Sequence, residues 1–511
     1  MPIQPERHGT PRRTLLQGTC ALSFAPWLLR HARGADVARF GLGIASGQPR
    51  ADGVVLWTML TGAGLPEAVP VEWELARDEG FADIVARGAE TAQAPWAHSV
   101  HAEPAGLEPA RWYWYRFSAL GQRSPVGRTR TAPAPDASAT LNFAIASCQR
   151  FDVGHYAAWR HIASEELDVV MFLGDYIYEY ASRPNPVRPV EGGHVRTLAQ
   201  YRARYATHKS DPALQAAHAC APWLLVWDDH EVGNDYANLQ GQDLEPDFKA
   251  QRAAAYRAYW EHMPFPKSAR PVDADMRITG RLDWGRLARI HLLDDRQYRD
   301  PQVCPKPGRG GSNTIALKAC PEFVDPKRTL LGAAQERWLA EGWDPSRPWN
   351  LLAQQSLMAR FSWTDPARGD GTYWTDGWDG YPAARQRLLD VVAQRRVPGV
   401  VVLGGDVHSN YVADLKADWD DADATVIATE FCGTSITSTS LPQARLDAAR
   451  SFNPHIRYGR SDERGYLRFA LDAKQLHVQV RVVENVLDPA SGVRTAARFQ
   501  VDPARPGALP A

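Results

Sequence analysis

The chain has no excess of either charge, no run of apolar residues long enough for a membrane, and no repeat, and each absence removes a class of protein. Lysine plus arginine (58) and aspartate plus glutamate (59) nearly cancel over 511 residues, which argues against a nucleic-acid-binding surface. No run has the length and apolarity of a stable transmembrane helix, so the mature form is expected to be soluble and without a membrane anchor. No heptad, internal repeat or low-complexity segment is present. No serine or threonine stands in a suitable nucleophile elbow, so no covalent intermediate is required. Histidines are too sparse around the acidic motifs for the His-rich shell of a two-zinc hydrolase. There are only six cysteines. Cys304 and Cys320 bracket the loop CPKPGRGGSNTIALKAC, and a disulfide is expected there in an oxidising compartment. Cys220 and Cys432 lie beside apolar residues and read as inert core thiols, whereas Cys148 closes an apolar run.

What is present begins with a leader. Arg12-Arg13 precedes Thr14-Leu15-Leu16, a modestly apolar stretch to Leu29 broken by Pro26, and small residues at 32–35. That layout predicts a twin-arginine signal over residues 1–35, and Cys20 would leave with it. The expected partner is the twin-arginine export machinery, which carries folded proteins, and the expected location is periplasmic or extracellular. Residues 36–132 read as short strands separated by turns, among them GVVLWTML, VEWELARD and RWYWYRFSAL. They predict a small all-β sandwich of the fibronectin or immunoglobulin type. The Pro/Ala segment 133–138 reads as a linker. Residues 139–511 alternate buried strands with amphipathic helices, the helices being expected at 197–205, 212–220, 247–262, 331–341 and 383–396. The fold class predicted is α/β, a two-sheet sandwich flanked by helices.

Four apolar runs of the catalytic region end in groups that carry chemistry. LNFAIASCQR ends at Cys148, VVMFLGDYIYEY at Asp175, PWLLVWDDHEVGND at Asp228 and Asp229, and VPGVVVLGGDVHSN at Asp406 and His408. Such runs suit strands buried on both faces, and ligand sites in α/β folds lie past the carboxyl ends of those strands. Converging acids repel one another unless a cation joins them, so the pattern predicts a metal-dependent hydrolase. Asp175 is suited to bridge two metals, and Tyr178 could reach the same centre as a phenolate for a hard trivalent ion. Asp229 and Asn234 are expected as oxygen ligands, with His230 as a general acid or substrate contact. Asp294, Asp295, Arg296 and Arg299 offer either a structural Asp-Arg pair or a phosphate clamp. Asp376 and Asp379 lie in a Trp/Gly loop, where Asp379 could complete an oxygen shell. Trp363, Tyr373, Trp374 and Trp378 are expected around the entrance.

ASCQR, LGDYIYEY, WDDHEVGNDY, LLDDRQYR, WDGYP and GGDVHSN occur in the order and context of the PhoD-like alkaline phosphatase/phosphodiesterase family, which the whole mature chain resembles. The resemblance implies a metallophosphoesterase-like sandwich with a calcium- and iron-dependent site. It implies Fe3+ on Cys148, Asp175, Tyr178, Asp406 and His408. It implies Ca2+ on Asp175, Asn234 and Asp379, with Asp229 a further candidate. His230 and Arg296 are the expected catalytic side chains. The residue before Arg296 departs from the pattern, because a small polar residue such as Thr is expected where this chain has Asp295. The implied chemistry is hydrolysis of phosphate mono- and diesters by a metal-activated hydroxide. A phospholipase D-type phosphodiesterase is the alternative enzyme, and a non-catalytic cell-surface binding protein the alternative class.

Overall fold

The computed structural model describes residues 38–421 and 423–511. The predicted signal, residues 1–35, lies outside the described residues. The fold is mixed α/β, as the alternation of buried runs and amphipathic segments requires. A ten-stranded sheet contains Leu141–Ala146, Val169–Phe172 and Trp223–Leu225 as adjacent parallel strands. A seven-stranded sheet contains Ala288–Leu292, Trp349–Ala353, Val400–Gly404 and Val426–Cys432, also parallel. The first sheet continues on one side through the antiparallel strands Gly465–Leu471, Leu476–Val483, Val493–Asp502 and Arg505–Pro510.

Strand alternation explains how the sheets stack. Leu351, Val401 and Leu403 join Phe143, Ile145 and Met171 in one apolar core between the sheets. Leu352 and Val402, one residue out of phase, join Leu339, Leu388, Leu389 and Val392 of the helices Gly332–Gly342 and Pro382–Arg395 in a second core. A strand with both faces covered has to be apolar at every position, which is why VVVLG and VVMF show no alternation. The remaining predicted helices form at Leu198–Lys209, Pro212–Cys220 and Phe248–His262. The first is closed by a reciprocal capping box between Thr197 and Gln200. Two short helices, Ala157–Ile162 and Gln443–Arg450, were not expected. At six and eight residues they are too short for a clear periodic signal.

The N-terminal β region is built differently from a free-standing sandwich. One layer is a five-stranded sheet of Ile84–Gln93, Ala68–Ala76, Trp112–Ala119, Gln122–Arg123 and Gly127–Arg130. The facing strands Ile44–Arg50, Gly53–Met59 and Ser99–Ala102 extend the ten-stranded sheet, with Ile44–Arg50 running parallel to Trp223–Leu225. The two layers of the small sandwich therefore belong to different neighbours, and residues 38–511 form one compact unit. Cys304 and Cys320 form the expected disulfide.

Candidate metal centre

Parallel strands put their carboxyl ends on one edge, and the predicted chemistry gathers there. Cys148 lies two residues beyond Leu141–Ala146, Asp175 three beyond Val169–Phe172, Asp228 three beyond Trp223–Leu225, and Asp406 two beyond Val400–Gly404. Three of these four tips turn abruptly, at Cys148, Asp175 and Asp406. Cys148, Asp175, Asp235, Asp406 and His408 all have positive φ, between 53° and 64°. A non-glycine residue in this region costs roughly 1–2 kcal/mol, so such a concentration is maintained by the surrounding contacts. Gly174 is needed for the close approach of two tips, since a Cβ there would lie 2.4 Å from Asp228 Cβ. At Gly405 a Cβ would lie 2.5 Å from Ser147 Oγ.

Donor atoms of Cys148, Asp175 and His408 form one compact group, all within 4.8 Å of one another. Tyr178 belongs with them: its hydroxyl donates to Asp175 Oδ2 at 2.7 Å and lies 3.1 Å from His408 Nε2. His408 Nδ1 is 2.8 Å from the Thr439 carbonyl, an acceptor, so Nδ1 carries the hydrogen and Nε2 is left facing the group. Ser438 Oγ lies 2.7 Å from Tyr178 Oη and 2.8 Å from Cys148 O, tying the next loop to the same point. Three overlapping groups continue from Asp175: Asp175 with Asp229 and His230, Asp228 with Asp229 and Asp406, and Asp229 with Asp235 and Asp376.

The electrostatics of this set call for cations. Asp175 Oδ1, Asp228 Oδ2 and Asp406 Oδ2 are buried and accept no hydrogen bond. Burial raises the pKa of Asp406 most; Arg296 opposes it, and Asp229, Asp376 and Asp175 add to it, leaving the group well above the ordinary carboxylate range. Burial, Asp175 and Asp406 likewise push the Cys148 thiol up, although its hydrogen bond with Ser147 works against the trend. A thiol, a phenol, an imidazole and acceptor-rich carboxylates crowded together without compensating charge fit metal ions in kind as well as in number.

Three side chains act differently from expectation. Arg296, expected to be catalytic, is 1% exposed and does not line the cavity. Its Nε lies 2.5 Å from Asp228 Oδ1 and its Nη1 2.8 Å from Asp376 Oδ2, so it neutralises buried acids and positions them. Asp379 lines the cavity, but Arg385 and the Phe361 amide occupy its two oxygens at 2.7 and 2.9 Å, and it joins none of the ligand groups. Its neighbour Asp376 does. Tyr373 packs with Val303, Cys320 and Phe323 instead of walling the entrance. Asn234 lines the cavity, and its backbone N–H donates to Glu179. Asp294 accepts from the Arg296 and Gln297 amides and from Trp227, a turn-closing role. Asp295 exchanges backbone contacts with Gln355.

Two buried glutamates complete the frame. Glu231 accepts from the backbone N–H groups of Asp175, Tyr176 and Asp228 at 3.0, 2.6 and 2.9 Å, joining two strand tips. Glu179 lies 2.7 Å from His230 Nδ1. Burial alone would lower the His230 pKa, but Glu179, Asp229 and Asp175 outweigh it and hold the imidazole well above its ordinary value. Both glutamates stand within the acidic motifs, so sequence could point to them as acids without showing what they hold. The cavity over the centre has a volume of about 370 Å³ and is walled by Trp363, Trp374, Trp378, Phe361 and Tyr411, with Asp229, His230, Asp406 and His408 also on its surface.

Comparison with known proteins identifies the family. Residues 143–480 match the PhoD-like phosphatase family, and residues 27–133 match the PhoD-like phosphatase N-terminal domain. The chain belongs to the PhoD-like phosphatase family. It is 43% identical to alkaline phosphatase D of Bacillus subtilis (strain 168) over 479 residues, covering 90% of this chain and 80% of that protein. The solved structure of PhoD matches with a TM-score of 0.86 at 41% identity, covering 92% of each chain. A purple acid phosphatase, PPD1 from yellow lupin seeds, matches with a TM-score of 0.57 at 12% identity, over 90% of this chain and 74% of that one, which shows a shared fold only. Membership in the PhoD-like family makes this chain a phosphoric ester hydrolase, and the clustered acids, thiol and imidazole are groups that could hold metal ions.

Proposed function

We propose that this protein is an exported alkaline phosphatase/phosphodiesterase with a mixed iron and calcium centre. The observation that carries the reading is the asymmetry around Asp175: thiol, phenol and imidazole gather on one side and carboxylates on the other. Cys148, Tyr178, His408 and Asp406 with Asp175 would hold Fe3+, for which a thiolate–phenolate pair is suited. Asp175, Asp229 and Asn234 would hold Ca2+, which favours oxygen donors. Asp379 is retained as a ligand only if Arg385 releases it. Asp376 is the better-placed acid on that loop. When bound, the ions supply positive charge for the phosphoryl oxygens and lower the pKa of water.

The chain's own groups then position and exclude. His230, held by Glu179 with its ring centroid 4.1 Å from that of Tyr178, keeps a proton beside the cavity for the departing alkoxide. The aromatic wall accommodates an organic substituent on the phosphate, which supports diesters alongside monoesters. Export by the twin-arginine machinery rests on the residues at 12–16.

The test is turnover of mono- and bis-nitrophenyl phosphate before and after EGTA. Loss of both activities in EGTA and their return with calcium supports the reading. Activity on neither ester sinks it. A large preference for the diester would instead favour a phospholipase D-type phosphodiesterase.

A further inference from the structure

Behind the thiol, phenol and imidazole of the centre sits an arginine that touches none of them directly. Arg464 is partly buried and immediately precedes the strand Gly465–Leu471. Its Nη1 donates to the His408 carbonyl and to Thr434 Oγ1, each at 3.0 Å, and its Nη2 donates to the Ser461 carbonyl at 2.8 Å. The first of these bonds restrains a residue whose backbone is held at a φ of 53°. The neighbouring residue extends the tie, since the Gly465 N–H donates to the Ser435 carbonyl at 3.0 Å. Ser435 Oγ in turn donates to the Ser438 carbonyl at 2.5 Å, and the Ser438 hydroxyl touches both Tyr178 Oη and Cys148 O. Arg464 and Gly465 therefore anchor the segments that orient His408, Tyr178 and Cys148.

The charge of Arg464 is the second observation. Arg296 is paired with Asp228 and Asp376, and Arg150, 5.6 Å over the Tyr178 ring, is paired with Asp152 at 2.7 Å. Arg464 has only uncharged acceptors and forms no ion pair among the described residues. Arg204 is also held by carbonyls alone, those of Tyr178, Tyr180 and Gly193, but the acids acting on it are Glu179 and Asp152. For Arg464, burial lowers the pKa to about 10, and the groups opposing it include Cys148 and Tyr178 as well as Asp462 and Glu463. A guanidinium drawn out of water without a carboxylate is costly unless other negative charge lies beside it. In the centre proposed above, Cys148, Asp175, Tyr178 and Asp406 would bring four negative charges to a trivalent ion, and a cation on the thiol and phenol side offsets the excess.

We propose that Arg464 is a positioning residue of the metal centre. It fixes His408 through the carbonyl, and its unpaired charge balances the thiol and phenol side when the ion is bound. The assignment rests on the iron reading given above.

Iron retention against a competing chelator and the Fe3+/Fe2+ reduction potential test it on the metal-loaded protein, in wild type, Arg464→Gln and Arg464→Lys. Arg464→Gln should hold iron about 10- to 100-fold more weakly. Its potential should fall, because loss of a nearby positive charge favours the more highly charged ion. Arg464→Lys keeps the charge and loses the fork of donors, so it should restore most of the potential but not the affinity. A residue that merely supported the fold would not separate the two readouts in this way. Wild-type affinity and potential in Arg464→Gln overturn the proposal, as does a potential in Arg464→Lys as low as that in Arg464→Gln. Should Arg464→Gln fail to fold, Arg464→Lys decides alone: weakened iron near the wild-type potential supports the proposal, and undiminished iron or a lowered potential overturns it. A wild type without iron overturns the iron reading and this assignment together, which tells the two failures apart.

Discussion

Two regions of this molecule bury ionisable groups, and they treat them in opposite ways. Around the seam between the N-terminal strands and the helices, burial strips bases of their charge. His101, His208 and His262 are each lowered to about 3, and Lys209 to about 7, with desolvation the leading cause in every case. Lys209 Nζ has no hydrogen-bond partner and lies 4.1 Å over the Trp57 ring. At the metal centre the burial is as complete, but at His230 and Arg296 neighbouring acids overrule it. His230 is held protonated by acids, and Arg296 sits among three of them. Burial alone therefore does not distinguish a reactive site. Burial combined with unbalanced charge and strained backbone does.

The comparison can be broken most severely at Asp175, the residue shared by adjoining ligand groups. Asp175→Asn should lower turnover of nitrophenyl phosphate on the order of 10³-fold or more, because both sides of the centre lose a charge. Retention of most activity would show that the two sides do not share it. Next is Arg296→Met, which leaves Asp228 and Asp376 buried without their counter-charge. Calcium-free protein should lose about 3–5 kcal/mol of stability by denaturant unfolding, with added calcium restoring part of it. An unchanged midpoint would mean that Arg296 balances nothing.

Glu231→Gln is milder. It weakens acceptance from three backbone amides while keeping the shape, and metal affinity should fall about 10- to 100-fold. If affinity holds, the strand tips do not depend on that carboxylate.

The seam offers the contrasting experiment. The folded-state pKa of Lys209 lies below its ordinary 10.5, so between about pH 7 and 10.5 the unfolded chain binds the extra proton. Its effect on stability therefore rises with pH through that window, at about 1.4 kcal/mol per pH unit. Lys209→Met should remove this rise and stabilise the protein by about 1–3 kcal/mol at pH 7, without altering turnover. The same slope in wild type and variant would mean that Lys209 is not the titrating group.

Much of the centre was legible because strand tips and acids are both local signals. Cys148, Asp175, Asp229, His230, Asp406 and His408 are predicted from apolar runs that stop at a donor, and the structure brings them together. Strain was not legible, since nothing in the letters of Cys148 or His408 announces a positive φ. Neither was the choice between Asp376 and Asp379, three residues apart in one loop. It depends on Arg385, which approaches from the following helix and occupies Asp379. The small sandwich was visible in alternating strands such as Trp112–Ala119. That one of its layers continues the catalytic sheet was hidden, because the pairing of Gly47 with Trp223 joins residues far apart in sequence.

Elemental analysis of natively exported wild type beside Cys148→Ser tests the central claim most directly. The account predicts near-stoichiometric iron and calcium in wild type, and in the variant a loss of iron with calcium largely retained, because the thiol serves only one side of Asp175. A zinc-only or metal-free wild type that is nonetheless active, or a variant that keeps its iron in full, would contradict it.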